Sequence, residues 1–480
     1  MGTYTKEQLT DELNRIKTAT SACRDAIYNK GVTSIPADAS LGSLATYASM
    51  ITCEHPDILL EYIQADETPS SVERTTVYFK TDYYPDSSTD IEISYQNTFQ
   101  YSSTVSSYTL IGCTHTGGGE YSFTGDHYIM APAATNSTAY AFRYRNGSNF
   151  SIPASTPINT NRHTIRSATN GKSQSVYYDN VLLASGTTDS LVTFELPLCI
   201  FANNTNGNRA GYAALKGTRI YYIKIWREHN LERFYIPVLH YYNGQYTPCF
   251  YDKVNDNYIY NLGSGTVTYS STGDYLLDYL GPDEETAVPV TQSSYLRYDT
   301  GIAADTTIQV DTRFRLLWGG ENYIYGSATD GTTTPYWQTF GIGYPGKLTT
   351  LRAMLGADAS ASRVVNMTTV GLLASCTTSH YYENDIGKCY LNEKLFSGSS
   401  NIINFSSQTI HIFSRHGNSQ TVPVRNGARL YYCLISKSGI VQRSYVPVLH
   451  NGSPYLLDLN NGTYNSPVAP AIPVTYSVLE

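Results

Sequence analysis

Two stretches of the chain, GTRIYYIKIWREHNLERFYIPVLH at 217–240 and GARLYYCLISKSGIVQRSYVPVLH at 427–450, are copies of one another. Eleven of their 24 aligned residues are identical, at an offset of 210. Each copy reads as two β-strands, and the first alternates like a strand that is buried on one face. The second contains Pro237, a residue typical of an edge strand or a strand end. The pair predicts a β-domain that occurs twice.

The duplication extends in both directions, with small changes in offset that insertions in loops would produce. Asp82, for example, corresponds to Asp299 at an offset of 217. A period near 210 residues indicates a duplicated domain and not a solenoid of short repeats. We predict domains at 57–280 and 293–480, joined by an exposed linker at 281–292 whose Pro, Thr and acidic residues suit that role.

Composition and charge exclude several classes of protein. Only 15% of the 480 residues are charged, the net charge is −8, and Tyr is unusually frequent at 44 residues. With 41% hydrophobic residues, the chain is too rich in core formers to be disordered. A negative surface that is poor in Lys argues against a nucleic-acid partner. No segment approaches the ~18 apolar residues of a membrane helix, so we expect no membrane insertion.

Most of the chain carries β patterning. Short runs alternate polar with apolar residues, as at 89–95 and 307–314, and clusters of Gly, Asn, Ser and Pro separate them. This is typical of a β-sandwich or barrel. The predicted fold class is therefore mainly β, with two tandem sandwiches after a short α-helical N-terminal segment.

The N-terminal segment, residues 1–56, is the exception to this β patterning. It carries an apolar stripe with a period close to 3.5 residues, which indicates an amphipathic helix. The stripe consists of Leu9, Leu13, Ile16, Thr20, Cys23 and Ile27. A helix this short needs a packing partner. A hairpin with a second short helix and a bundle of several chains are both open, so the segment is predicted to attach or oligomerise the protein.

The end of each copy carries a recognisable pattern: Gly-x-Arg-Ile/Leu-Tyr-Tyr, a strand, then Arg-x-Tyr-Ile/Val-Pro-Val and a turn. It resembles the laminin-G-like, concanavalin A-like jelly-roll domains of phage virion proteins and gut-bacterial surface proteins. The second copy departs from the pattern at 465–467, where Asn-Ser-Pro replaces Asn-x-Gly. The N-terminal segment looks like the helical leader of many phage fibre proteins.

The resemblance implies two tandem jelly rolls on a phage fibre or capsid-decoration protein. It also implies a homotrimer, as in the resembling fibres, bound to other virion proteins. The N-terminus is charged from Lys6 onward and lacks an apolar signal core, so we expect synthesis in the host cytoplasm. The expected final location is the virion surface.

Chemical motifs give little support to an enzyme. Concanavalin-like glycan hydrolases resemble this architecture and place paired carboxylates on one strand. The nearest match here is 383–388, where Lys388 stands in place of the last Glu, so we predict no catalytic residues. His240 and His450 correspond between the copies, and we interpret them as structural. No metal site is predicted, although Asp252, Asp256 and Asp179 are candidate ligands for calcium.

The surplus of tyrosine has two competing interpretations. Tyrosine fills half-wet cores and interfaces, and it also stacks on sugar rings. Tyr336 and Trp337, adjacent in a Thr-rich loop, are the candidate glycan contacts. The preferred function is a non-enzymatic virion structural protein that displays two lectin-like domains, and weak binding to host or mucus glycans is the role that the second interpretation of the tyrosines would add. The alternatives are a bacterial surface adhesin and a glycan hydrolase.

Overall fold

The structure of the protein is a computed structural model. Contacts divide the chain into two compact units, Met1–Pro56 with Glu480, and Asp57–Leu479. The residues that the structure describes are 10, 13–21, 24, 40, 55–99, 108–114, 127–133, 139–144, 149–151, 159–187, 194–205, 208–209, 213–282, 296–316, 322–327, 340–344, 350–355, 364–368, 375–383, 386–397, 408–416, 422–423, 428–467 and 474–479.

The described part of the first unit is helical at residues 10, 13–21 and 24. Two hydroxyl groups in the helix donate to the carbonyl oxygen one turn earlier: Thr18 to Asn14 at 3.0 Å and Thr20 to Ile16 at 2.8 Å. These bonds satisfy polar side chains without any partner outside the helix. Among the described residues, no helix is long and apolar enough to cross a membrane.

Among its described residues, the second unit is built from β-strands and the turns that join them. The first half of the chain contains β1 (Ile58–Ala65), β2 (Phe79–Lys80), β3 (Thr89–Asn97), β4 (Ile111–Thr114), β5 (His127–Ala133), β6 (Ala139–Tyr144), β7 (Asn149–Ser151), β8 (Arg162–Asn170), β9 (Ser173–Tyr178), β10 (Val181–Thr187), β11 (Cys199–Ile200), β12 (Asn203–Thr205), β13 (Asn208–Arg209), β14 (Thr218–Arg227), β15 (Asn230–Tyr242), β16 (Gln245–Asp252), β17 (Asn257–Tyr260) and β18 (Val267–Pro282).

The second half repeats this order of strands. It contains β19 (Tyr298–Ala303), β20 (Ile308–Leu316), β21 (Asn322–Ser327), β22 (Phe340–Tyr344), β23 (Thr350–Leu355), β24 (Val364–Thr368), β25 (Cys376–Glu383), β26 (Ile386–Leu391), β27 (Lys394–Ser397), β28 (Thr409–Ile412), β29 (Ser414–His416), β30 (Val422–Pro423), β31 (Ala428–Lys437), β32 (Ile440–His450), β33 (Ser453–Asp458), β34 (Thr463–Asn465) and β35 (Val474–Val478).

The predicted fold class is confirmed: the chain is mainly β, in antiparallel sheets that occur as two tandem copies, with a short helix near the N-terminus. Each copy has its own eight-stranded sheet, and a 19-stranded sheet network runs through both. The pairings are antiparallel except for β4 with β12 and β21 with β29, which occupy equivalent places. The copies therefore share even their irregularities.

One strand, β18, belongs to both copies. Its first part pairs with β1, and its last part pairs with β35 of the second copy. The sequence DYLLDYL at 274–280 repeats DILLEYI at 57–63, so the second copy begins inside this strand. The boundary predicted after residue 280 therefore falls within β18. Residues 281 and 282 of the predicted linker are β-strand, and the rest of it lies outside the described residues.

Three large buried hydrophobic clusters are found among the described residues of this unit, beside a smaller one at Cys199, Ala202 and Ala213. One fills the first copy between its sheets, and includes Ile93 of β3 and Ile111 of β4. A second fills the second copy in the same way. The third lies between the copies and contains equivalent residues from both, such as Tyr222 and Tyr432. The two sandwiches therefore pack directly against each other. A flexible, exposed linker alone would not hold them in this arrangement.

This third cluster explains two differences from the strand predictions. Strand β14 is buried on both faces over Ile220–Trp226, and not on one, because its second face packs against the other copy. Pro237 lies inside β15 and not at an edge. It falls where β15 has left β14, after Tyr235, and before it pairs with β1, at Val238. A residue without an N–H group fits in that gap.

Charged groups are also buried between the copies. Lys224 of the first copy donates to Glu92 at 3.0 Å and to the Ser444 hydroxyl of the second copy at 2.6 Å. Its side chain is 0% exposed, and burial lowers the pKa of its ammonium group. Trp226 donates from Nε1 to the Asp311 carboxylate across the same interface at 3.0 Å. Such groups fix the relative position of the two sandwiches, since an unpaired buried charge is costly.

Candidate functional site

A cluster of three polar side chains lies where the first strand meets the end of the first copy. Asp57 immediately precedes β1, His240 lies on β15, and Tyr258 lies on β17. One carboxylate oxygen of Asp57 is 2.7 Å from His240 Nδ1, and the other accepts a hydrogen bond from the Tyr258 hydroxyl, also at 2.7 Å. The imidazole and phenol rings are stacked, with centroids 4.0 Å apart.

The second copy builds the same cluster from Asp274, His450 and Tyr464. The Asp274 carboxylate lies 2.7 Å from His450 Nδ1 and 2.6 Å from the Tyr464 hydroxyl. The two rings again stack at 4.0 Å. Each of the two histidines that we interpret as structural thus has an aspartate partner, Asp57 in the first copy and Asp274 in the second. We call each set an Asp–His–Tyr cluster.

Burial controls the electrostatics of the first cluster. The Asp57 side chain is fully buried, which raises the pKa of its carboxyl group, while the hydrogen bonds from His240 and Tyr258 act in the opposite direction. Burial and the neighbouring carboxylate both raise the pKa of the Tyr258 hydroxyl. In the tautomer in which Nδ1 of His240 donates a hydrogen bond to the Asp57 carboxylate, Nε2 is the acceptor atom of the neutral ring.

Aromatic rings continue outward from the first cluster. His240 and Tyr242 lie on β15 and Tyr258 and Tyr260 lie on β17, all on one face of the sheet. Tyr242 stacks on Tyr260 with centroids 4.5 Å apart, and His240 lies 6.4 Å from Tyr260. We call these four residues the aromatic ladder. It runs from half-buried rings beside Asp57 to Tyr242, which is 46% exposed.

The ladder depends on the length of one hairpin. In the first copy β15 and β16 pair out to Tyr242 and Gln245, and Asn243-Gly244 form the turn at positive φ. In the second copy the corresponding hairpin already turns at Asn451-Gly452. Asn-Gly with both φ values positive is the sequence favoured for a two-residue hairpin turn. The second copy therefore ends its ring stack at His450.

Sequence reasoning found the two histidines but missed their acidic partners. Asp57 and Asp274 lie at an offset of 217, the same offset as Asp82 and Asp299, within the repeated motif Asp-x-Leu-Leu-x-Tyr. Placing the second domain at residue 293 hid this correspondence. The ladder was also missed, because the signal was only the density of Tyr around 240–260.

The predicted oligomerisation residues are described in part. Leu13 and Ile16 lie on the helix with side chains 52% and 48% exposed, and Thr20 is half-buried. Leu9, Cys23 and Ile27 lie outside the residues whose side chains are described. The same holds for Tyr336 and Trp337, so the predicted glycan contacts stay a prediction.

The candidate calcium ligands have internal partners. The Asp252 carboxylate accepts a hydrogen bond from the backbone N–H of Phe234 at 3.0 Å, and Asp256 forms an ion pair with Arg313. Asp179 lies 2.7 Å from His163 Nδ1. Within the part of the chain that the structure describes, no group of three or more His, Cys, Asp or Glu side chains is arranged to hold a metal.

The hydrolase-like stretch forms a hairpin between β25 and β26. Glu383 and Lys388 form an ion pair there, which lowers the pKa of the Glu383 carboxyl group. A carboxylate in this state is a poor general acid at neutral pH. Asp385 lies outside the described residues.

Tyrosine also serves as a core residue throughout the molecule. The largest fully buried side chains that the structure describes are all tyrosines: Tyr83, Tyr95, Tyr108, Tyr235, Tyr251, Tyr298, Tyr325, Tyr432 and Tyr445. Core filling therefore accounts for a substantial part of the tyrosine surplus. The ladder accounts for a different, partly exposed set.

Comparison with known proteins finds no matching family model and no matching curated protein. Solved structures similar to this chain include mouse laminin alpha1 chain domains LG4–5, at TM-score 0.28 and 11% identity, covering 89% of this chain and 96% of that one. The LG1–3 region of the laminin alpha2 chain has TM-score 0.28 and 10% identity, over 88% and 69% of the two chains. A structure described as NanB plus Optactamide has TM-score 0.24 and 9% identity, over 85% and 74%.

Proposed function

We propose that the chain is a non-enzymatic structural protein of a bacteriophage virion, either a head or tail fibre or a capsid-decoration subunit. It would display two lectin-like domains at the virion surface and bind host or mucus glycans weakly. The observation that carries this proposal is the fusion of the two sandwiches into one compact unit through β18 and a buried interface. A fused pair presents its surface in one orientation, which suits a display role.

The helix supports attachment through oligomerisation. Leu13 and Ile16 are three residues apart, on the same side of the helix, and both are about half exposed in the single chain. Covering them with the same residues of neighbouring copies would remove apolar surface from water. A homotrimer, as in the resembling fibres, is the assembly we propose, with other virion proteins as further partners.

The non-enzymatic part of the proposal rests on how the polar groups are used. In the two Asp–His–Tyr clusters, each carboxylate oxygen already has a hydrogen-bond partner within the cluster. Glu383 is paired with Lys388. These interactions support a structural role for the side chains over a catalytic one.

Imaging of intact particles tests the proposed location. Antibody fragments against the second unit should decorate the outside of purified phage particles at fixed positions in electron micrographs. Finding the chain only in the host cell envelope would overturn the virion proposal in favour of an adhesin.

Light scattering tests the proposed assembly. The full chain should have three times the mass of the monomer, whereas a chain that starts at residue 56 should be monomeric. A full chain that is monomeric at micromolar concentration would count against the trimer. A truncated chain that is still trimeric would move the contact from the helix to the β-domains.

A further inference from the structure

We propose that the aromatic ladder of the first copy is a binding site for a neutral glycan, and that the second copy lacks this site. This inference rests on the proposed display function, which it deepens by naming the residues and the ligand class. It differs from the glycan contacts expected at Tyr336 and Trp337.

The outer end of the ladder offers flat apolar surface to solvent. Tyr260 covers one face of the Tyr242 ring, yet Tyr242 is still 46% exposed. Much of the rest of the Tyr242 ring is therefore open to solvent. An exposed aromatic face gives apolar contact to the C–H groups of a pyranose ring.

Hydrogen-bonding groups of the same strands lie beside these rings. Gln245 is paired with Tyr242, and Thr247 is paired with His240, so both lie on the ladder's face of the sheet. They supply an amide and a hydroxyl group, and the His240 ring adds a nitrogen. This combination of ring faces with uncharged donors and acceptors matches a sugar, which alternates C–H faces with hydroxyl groups.

The inner end of the ladder is held rigidly. His240 is fixed by its 2.7 Å contact with the buried Asp57 carboxylate and by its stack on Tyr258. Tyr258 is itself fixed by its hydrogen bond to the second oxygen of Asp57. Rings whose positions are set before binding lose little conformational entropy when a ligand arrives.

Apart from the buried Asp57 carboxylate, the stretches of strand that carry the rings of the ladder contribute no charged side chain, and this selects the ligand class. No Asp, Glu, Lys or Arg occurs between residues 234 and 251 or between residues 257 and 273. An anionic glycan, a nucleic acid or an anionic membrane would need basic side chains at the contact. A neutral saccharide needs none. Affinity at one site should be weak because the surface is exposed, and repeated copies on an assembly would raise the avidity.

The second copy provides an internal control. Its hairpin ends at Asn451-Gly452, and Tyr260 corresponds to Ser466, so neither member of the outer stack is present. There Tyr455 packs edge-on against Tyr464 instead. The sandwich therefore folds without the outer rings, which frees them in the first copy for a ligand.

The experiment uses the full chain and its natural assembly. Binding is screened on a glycan array and then measured in solution by titration calorimetry with cellopentaose, chitopentaose and maltopentaose. The wild type should bind neutral glycans, and the double variant Tyr242→Ala/Tyr260→Ala should bind at least about tenfold more weakly. Tyr242→Phe keeps the ring and should retain binding. Tyr455→Ala, which removes a partly buried tyrosine ring from the second copy, should also bind like the wild type.

Each other outcome has a definite meaning. Equal binding by the wild type and the double variant would overturn the ladder as the site and leave the proposed function standing. Wild-type binding to anionic glycans alone, or to none, would overturn the inference, while particle imaging decides the virion role separately. Self-association that the double variant abolishes would assign the ladder to a second copy of the chain. Circular dichroism and thermal melting confirm that each variant is folded.

Discussion

The two copies of the domain share a backbone plan and differ in what they add to it. Both build an Asp–His–Tyr cluster with matching distances, and both leave Pro237 or its counterpart Pro447 inside a strand. The first copy alone extends its hairpin into the aromatic ladder. It also sends Lys224 into the interface, where the second copy has Leu434 at the equivalent position. The shared features maintain the fold, and the unshared ones are where the copies have specialised.

The largest effect is expected from the buried ion pair. Lys224→Leu copies the residue of the second copy but leaves Glu92 buried without its cation, so the free energy of unfolding should fall by about 3–5 kcal/mol. The double variant Glu92→Gln/Lys224→Leu copies both residues of the second copy, since Gln309 corresponds to Glu92. It should be markedly more stable than the single variant. Urea unfolding of both single variants and the double variant checks this. If the loss in the double variant equals the sum of the two single losses, the two residues do not interact and the expected difference between the copies is not supported.

The next effect concerns the Asp–His–Tyr clusters. Asp57→Asn should lower the free energy of unfolding by about 1–3 kcal/mol, because a buried group loses charge-assisted hydrogen bonds. Asp274→Asn should cost less, since His450 is 32% exposed while His240 is 16% exposed. The same denaturation measurement applies. A larger loss from the Asp274 variant would reverse the ranking of the two clusters.

A smaller effect is expected in the dependence of stability on pH. Burial lowers the pKa of Lys253 to about 8, from about 10.5 in an exposed lysine. Between these values the unfolded chain binds more protons than the folded chain, so this group adds stability as pH rises from about 8 toward 10. Lys253→Leu, which copies Leu459 of the second copy, should remove that contribution.

The quantity to follow for Lys253 is the difference in unfolding free energy between the variant and the wild type from pH 7.5 to 9.5. That difference should move in favour of the wild type as pH rises. A difference that stays constant would show that Lys253 keeps its ordinary pKa. Taking the difference cancels the tyrosine and cysteine titrations that the two proteins share.

The smallest change in stability is expected at the hairpin. Deleting Tyr241, Tyr242, Gln245 and Tyr246 turns HYYNGQYTP into HNGTP, close to HNGSP in the second copy. The turn keeps its Asn-Gly pair, and the residues removed are exposed or half-buried, so stability should change by less than about 1 kcal/mol. Thermal melting checks this. A large loss would show that the ladder supports the fold.

The sequence predicted the features that depend on neighbouring residues and on the repeat. The offset between 217–240 and 427–450 identified the duplication, and alternation identified the strands. The packing of the copies on each other could not be read in this way. Strand β14 reads as half-buried because Arg219 and Lys224 look like solvent-facing residues, whereas Lys224 is buried against Glu92.

The candidate site was predictable only in fragments for a related reason. His240 and Tyr258 are recognisable as repeated residues, but their partner Asp57 lies 183 residues from His240 along the chain. Only the fold brings them together. The predicted second domain starts at residue 293, whereas β18 runs as one strand from Val267 to Pro282, so the repeated motifs of the two copies meet within a strand and not at a loop.

The shared strand also changes how the interface can evolve. In a symmetric dimer of separate chains, every substitution appears in both subunits at once. A lysine introduced at a buried contact is therefore present twice in the interface. Once β18 joins the two copies into one polypeptide, each side mutates independently. A lysine can then face a serine, and one hairpin can lengthen while its twin stays short. Covalent fusion therefore allows the two halves of the molecule to differ at positions that would have to be identical in a symmetric dimer.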